Sequence, residues 1–274
     1  MAELVDTHCH IHAAVTDRQD FTAKKWQESS ETDPDALIKS AKQAGVDRLV
    51  CVGTDLEDSK DAVDFVQSRD NCWTAIGVHP HEAKEFLSKY KDLQEFDMLA
   101  DKPKVVAVGE IGLDYYYEHS PRKEQIILLE MFLDLAKKHD LPIIFHIREA
   151  FDDFWPILAN FEGIRGVLHS FTSNTANIDK ALSRGLYIGL NGIMTFTKDK
   201  DQLEMAKKVP LSRLLLETDA PYLAPKPYRG KVCKPEHVKT TAYFLSELRS
   251  DDFDHLASIT STNATKLFNL DEKN

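Results

Sequence analysis

The chain of 274 residues is short of several things, and each shortage narrows what it does. It has four cysteines, Cys9, Cys51, Cys72 and Cys233, and no C-x-x-C pair. That argues against a disulfide scaffold and suits a reduced, cytoplasmic protein. Cys51 and Cys72 sit in apolar runs and read as small buried hydrophobes. No apolar run reaches the ~18 residues of a membrane span, and no basic-then-apolar leader precedes the strand pattern that begins at Leu4, so no membrane partner is expected. Basic residues are outnumbered: 34 Lys and Arg against 45 Asp and Glu leave a net charge of −11. Proteins that coat nucleic acid by neutralising phosphates are usually basic, so an extended surface of that kind is not expected. A small phosphate site stays compatible, because bound divalent cations reverse the local field. No G-x-G-x-x-G follows the first strand pattern, which weighs against an open dinucleotide-binding sheet. Nothing in the chain marks an obligate protein partner.

What is present is alternation. Apolar runs recur at Leu4–His10, Arg48–Gly53, Cys72–His79, Val105–Leu113, Pro142–Arg148, Gly166–Phe171, Leu186–Asn191 and Leu214–Asp219. Amphipathic stretches separate them. One spans Pro34–Ala44, with Asp33 placed to cap it, Pro34 at its first position and Gly45 past its end. Another runs unbroken over Glu82–Leu99. Eight strand–helix units in this length predict a (β/α)₈ TIM barrel, slightly distorted, in a single domain over residues 1–274. Residues 13–33 form a polar segment longer than a usual strand-to-helix loop, either a lid or a surface loop.

Ligand-type side chains fall at the ends of these runs, where barrel enzymes place their chemistry. The first run ends in D-T-H-C-H. Positions i and i+2 of a strand share a face, so His8 and His10 point inward and Cys9 outward. Glu110, His146, His169 and Asp219 end the fourth, fifth, sixth and eighth runs. Each alone has a plain structural reading: a hydrogen-bonded core histidine, an inward charge paired with Arg148, a turn residue before Ala220-Pro221. Carboxylates and imidazoles crowded together without a cation are costly, so the set favours metal. Strand adjacency sorts His8, His10 and Asp219 into one group and His146 and His169 into another, with Glu110 able to bridge. Two divalent ions, Zn²⁺, Mg²⁺ or Mn²⁺, are the expected cofactors.

The strings D-T-H-C-H, G-V-H-P-H, V-G-E-I-G-L-D-Y-Y, F-H-I-R, V-L-H-S-F and L-L-E-T-D-A-P-Y-L resemble the TatD family of metal-dependent deoxyribonucleases, among the amidohydrolase-like barrels. The resemblance runs from Val5 to about Pro227. It implies the six ligands above, with Asp219 also accepting a proton from the attacking water. It implies that His79 is an active-site histidine near the phosphate, and that Glu217 and Asp114 orient ligands or water. For Asp114 a loop-capping role is equally open. Arg148 shares a face with His146 and can clamp a phosphate; Arg229 is a second phosphate candidate. Tyr115, Tyr116 and Tyr117 either stack a base or pack the rim. His12 and His81 read as solvated loop residues. One departure concerns the loop after the eighth run: the family usually shows R-G-K-R-N-x-P, and here Val232 and Cys233 replace an Arg and an Asn. Lys226, Arg229, Lys231 and Lys234 still make a basic patch there, either a solvated loop or a phosphate rail. The implied activity is 3′→5′ exonucleolysis of single-stranded DNA or DNA ends. A metal-dependent ester or amide hydrolase, such as a D-aminoacyl-tRNA deacylase or a small phosphoesterase, is the alternative. A non-catalytic metal-stabilised binding module is the third reading.

Overall fold

The computed structural model describes residues 3–16, 18 and 20–271. In chain order its elements are β1 (Leu4–Cys9), α1 (Phe21–Trp26), α2 (Pro34–Ala44), β2 (Val46–Val52), α3 (Leu56–Gln67), β3 (Cys72–Ile76), α4 (Ala83–Lys89), α5 (Gln94–Ala100), β4 (Val105–Asp114), α6 (Arg122–Lys138), β5 (Ile143–Arg148), α7 (Phe151–Ala159), β6 (Gly166–Leu168), α8 (Thr175–Ser183), β7 (Tyr187–Leu190), α9 (Lys200–Lys208), β8 (Leu214–Leu216), α10 (Val238–Arg249) and α11 (Phe253–Phe268). The strands form one eight-stranded sheet in sequence order, β1 to β8. A parallel bridge from Cys9 to Ala220 sets the segment after β8 beside β1. This is the (β/α)₈ order that the eight apolar runs predict.

Chain contacts group the residues into two compact units, Met1–Cys51 with Ser170–Lys266, and Val52–His169 with Leu267–Asn274. In the first, every residue of β1 is buried. The Cys9 thiol donates to the Val50 carbonyl, so it faces the neighbouring strand and not the ligand side. α2 starts and stops as its sequence dictates: the Asp33 carboxylate accepts from Asp35 N–H, Pro34 leads, and Gly45 ends it at φ 90°. The 13–33 segment carries α1. Its Trp26 is fully buried and donates its indole N–H to the His10 carbonyl at 2.9 Å, which fastens the segment beside the end of β1. Asp17 and Gln19 of that segment lie outside the described residues.

In the second unit β4 is buried along its whole length and pairs with β5 in parallel register. Gly112 makes that pairing possible. Its φ is 153°, and a Cβ there would run into the His146 carbonyl oxygen. The stretch expected as one helix over Glu82–Leu99 is two. Tyr90 turns extended after α4, and the Asp92 carboxylate accepts from Gln94 N–H to start α5. The extended Tyr90 and the local turn at Asp92 interrupt the continuous apolar periodicity. Phe96 of α5 then meets Phe132 of α6 edge-on at 5.0 Å in the core.

Strands β3, β6 and β8 stop earlier than their apolar runs suggest. His79, His169 and Asp219 lie past the ends of β3, β6 and β8. Asp219 has a left-handed backbone, φ 64°, as has Ser170 at φ 48°. These side chains are therefore aimed by turns and not by strand alternation. Among the described residues no helix is long and apolar enough to cross a membrane.

Candidate active site

The first unit gathers His8, His10 and Asp219. The two Nε2 atoms are 3.3 Å apart and face one Asp219 oxygen at 3.7 and 3.4 Å. Backbone bonds set this geometry. Asp219 N–H donates to the His8 carbonyl and His10 N–H to the Ala220 carbonyl, both at 2.8 Å. The buried Asp6 carboxylate adds a second tie, accepting from Thr218 N–H at 2.9 Å, from the Thr218 hydroxyl at 2.6 Å and from His8 N–H at 3.3 Å. Burial drives the Asp6 pKa up, and these donors offset only part of it, leaving it at about 8. Two imidazole nitrogens converging on a carboxylate form a donor set suited to a divalent transition metal, and the three ligand atoms lie within 4.8 Å of one another.

Glu217 works beside this group. It is 1% exposed, and its carboxylate accepts Ser170 N–H at 2.6 Å. A Cβ on Gly189 would overlap that carboxylate, so the glycine makes its room. Tyr222 meets the His10 ring edge-on at 6.3 Å, is stacked on Phe21 at 5.9 Å and is bonded to the Thr22 hydroxyl at 2.8 Å.

The second unit gathers Glu110, His146, His79 and His169. His146 Nδ1 lies 2.7 Å from a Glu110 oxygen, and its Nε2 lies 3.0 Å from Asp114. Burial lowers an imidazole, but the two carboxylates prevail and raise His146 to about 9. With Nε2–H donating to Asp114, Nδ1 facing Glu110 is the nitrogen that a metal would take in place of its proton. His169 Nε2 points at the same Glu110 oxygen from 3.8 Å. His79 Nε2 is 3.6 Å from Glu110 and 3.4 Å from His146. His79, Glu110 and His146 lie within ligand distance of one another. Nevertheless, His79 Nδ1 accepts His81 N–H at 3.2 Å, which leaves its proton on Nε2. Burial, then the charge of His146, holds its pKa well below the ordinary histidine value. His79 is thus a neutral N–H donor aimed into the cluster.

Asp114 bonds both to its own loop and to the histidines. One oxygen accepts Tyr116 and Tyr117 N–H at 3.0 and 2.9 Å; the other meets His146 and His81, each at 3.0 Å. Burial opposes its ionisation, but the bonds from His146, His81 and Tyr117 hold its carboxyl well below the usual range. His81 is therefore part of the cluster and not the solvated residue expected; its spacing two residues past His79 was the available signal. His12 departs from expectation as well, being 2% exposed. Its place in the tight turn Ile11–Ala14 buries it. Glu110 meets histidines, and the guanidinium of Arg148 lies over Tyr116 and Tyr117. Val232 and Cys233 are buried, with Cys233 N–H donating to the Pro221 carbonyl at 3.0 Å. The altered loop positions thus pack inward, while Lys226, Arg229 and Lys231 are exposed and Arg229 covers the Phe196 ring at 3.8 Å.

Comparison with known proteins identifies the family. The family described as TatD related DNase matches residues 5–269. A Bacillus subtilis protein named "Uncharacterized metal-dependent hydrolase YabD" is 36% identical over 97% of this chain and 99% of its own length. An Erwinia tasmaniensis protein named "3'-5' ssDNA/RNA exonuclease TatD" is 36% identical over 87% of this chain and 94% of its own. Among solved structures, the TatD homologue YJJV of Escherichia coli superposes with a TM-score of 0.82 at 29% identity, covering 97% of this chain and 98% of that one. The chain therefore belongs to the TatD related DNase family and is a metal-dependent hydrolase on a TIM barrel.

Proposed function

We propose that this hydrolase is a deoxyribonuclease that removes nucleotides from the 3′ end of single-stranded DNA. The observation that carries the reading is His146 held between Glu110 and Asp114, with the neutral His79 Nε2–H beside it. A divalent cation held by His8, His10 and Asp219, with a second on Glu110, His146 and His169, would polarise a phosphoryl oxygen and activate a water. Asp219 is 15% exposed at its side chain, enough to meet that water and accept its proton. His79 donates its Nε2–H to a phosphate oxygen, and its low pKa keeps it a donor without a competing charge. Glu217 holds the turn after His169 through Ser170. Arg148 and Arg229, both exposed, contact flanking phosphates. The Erwinia relative's name supports exonuclease action on a single strand.

The test uses 3′-labelled single-stranded DNA with purified protein, with and without chelator. Release of single nucleotides, abolished by chelator and by Glu110→Gln, is the expected result. Wild-type protein that releases none, yet hydrolyses small esters or D-aminoacyl-tRNA, would replace the nuclease with an ester hydrolase on the same residues.

A further inference from the structure

Three consecutive tyrosines follow Asp114, and the fold treats them differently. The Tyr115 hydroxyl is bonded to Asp153 at 2.7 Å, and Arg122 covers its ring at 4.2 Å. Tyr116 and Tyr117 are 55% and 52% exposed. They stand perpendicular to each other at 4.8 Å, and His119 lies parallel to Tyr117 at 5.8 Å. The Arg148 guanidinium rests 4.5 Å from the Tyr116 ring and 5.2 Å from the Tyr117 ring. It has no carboxylate partner among the described residues.

The loop that presents these rings is firm. Asp114 takes the N–H of both tyrosines, and the buried Gln125 side chain binds the backbone of Asp114 and Ser120. The other Asp114 oxygen binds His146. One carboxylate thus fixes the aromatic pair relative to the cluster. Arg148 follows His146 by two residues on β5, roughly 7 Å along the strand.

We propose that Tyr116 and Tyr117 are an aromatic platform for the base next to the cleaved bond, one ring stacking on its face and the other meeting its edge, with Arg148 leaving the rings to take that nucleotide's phosphate. This deepens the nuclease reading and rests on it: it makes an unpaired nucleotide the recognised unit. A base in a duplex is stacked on its neighbours and has no free face to offer, whereas every unpaired base has one. The platform is already ordered, so little is lost in ordering it on binding.

The experiment compares wild type with Tyr116→Ala/Tyr117→Ala, Tyr116→Phe/Tyr117→Phe and Tyr116→Leu/Tyr117→Leu. A fluorescein-labelled single-stranded oligonucleotide is bound in chelator on a Glu110→Gln background and read by anisotropy. Turnover in Mn²⁺ is measured on the unlabelled oligonucleotide and on bis(p-nitrophenyl) phosphate, a diester without a base. Affinity for the oligonucleotide is expected to fall at least tenfold in the Ala and Leu variants and to survive in the Phe variant. The loss of kcat/KM on the oligonucleotide should exceed that on the small diester at least tenfold. Equal losses on both substrates, or full affinity in the Leu variant, overturn the platform. Wild type that hydrolyses the small diester but neither binds nor cuts the oligonucleotide overturns the nuclease reading itself.

Discussion

Asp114 and His146 meet at 3.0 Å, and that contact joins two halves of the site. The same carboxylate that orients the imidazole also accepts the backbone of Tyr116 and Tyr117. Asp114→Asn keeps an oxygen for the tyrosine N–H groups but removes the charge facing His146. Metal affinity is expected to fall about 10–100-fold while the fold persists. Asp114→Ala loses both functions and should also lower the melting temperature measured in chelator. Calorimetric titration with Zn²⁺ or Mn²⁺ decides the matter. An Asn variant that binds metal as tightly as wild type would show that Asp114 only caps its loop.

Metal loading should stabilise the protein, because the donor groups converge only in the folded chain. At a free metal concentration 100 times Kd the gain is about 2.7 kcal/mol per site. For a domain of this size that is a rise of roughly 5 °C or more in melting temperature. His8→Ala and His146→Ala should each remove part of the rise, since each supplies a ligand atom, His8 beside His10 and Asp219 and His146 beside His79 and Glu110. Differential scanning calorimetry with chelator and with added Zn²⁺ or Mn²⁺ reads this directly. No rise in wild type would argue against ion binding by either cluster.

Much of the site is legible in the sequence, for a physical reason. The polar residues ending apolar runs are costly unless used, so His8, His10, Glu110, His146, His169 and Asp219 stand out in one dimension. Strand alternation aims His8 and His10 well enough to be read directly. It fails for Asp219, whose left-handed turn directs it, and for His79, whose own Nδ1 caps the next turn. His81 escaped because its partner, Asp114, is 33 residues away, and no local pattern encodes that distance. The inward packing of Val232 and Cys233 is likewise a tertiary fact. Their neighbours Lys231 and Lys234 suggest a solvated stretch, whereas the folded chain buries both residues and bonds Cys233 N–H to the Pro221 carbonyl. The split of α4 from α5 turned on an extended Tyr90 and a local turn at Asp92, which apolar periodicity does not register.

Gly189 and Glu217 form a pair whose coupling can be measured. A Cβ at residue 189 would occupy the space of the Glu217 carboxylate, which in turn binds Ser170 N–H. Gly189→Ala should cost about 1–3 kcal/mol, the usual range for overpacking. Glu217→Ala releases the crowding but strands the Ser170 donor. The double variant should therefore lose less than the two single losses combined, by about 1 kcal/mol or more, in urea unfolding. Strict additivity would mean that the methyl is accommodated elsewhere.

His237 offers a pH dependence away from the metal ligands. It is 5% exposed, its Nδ1 accepts Lys234 N–H at 3.1 Å, and its ring lies on Tyr228 at 4.0 Å. Burial, with Lys234 and Lys231 adding to it against the pull of Glu236, lowers its pKa to about 4. In the unfolded chain it titrates near its ordinary value of 6.5. The unfolded state therefore binds the extra proton between these values, and stability falls as the solution is acidified through that window. Above pH 6.5 the contribution is complete; the full loss by pH 4 is about 3 kcal/mol, and by pH 5 about 2 kcal/mol. His237→Gln keeps an acceptor for Lys234 N–H without a titrating ring. Urea unfolding at pH 7.5 and pH 5 should show a difference smaller in this variant than in wild type by about 2 kcal/mol. Because His237 anchors the turn that follows Arg229 and Lys231, limited proteolysis of wild type at pH 5 should cut within residues 226–234 faster than at pH 7.5, and the Gln variant should lose that acceleration. Equal acid sensitivity in the two proteins would place the titrating group elsewhere.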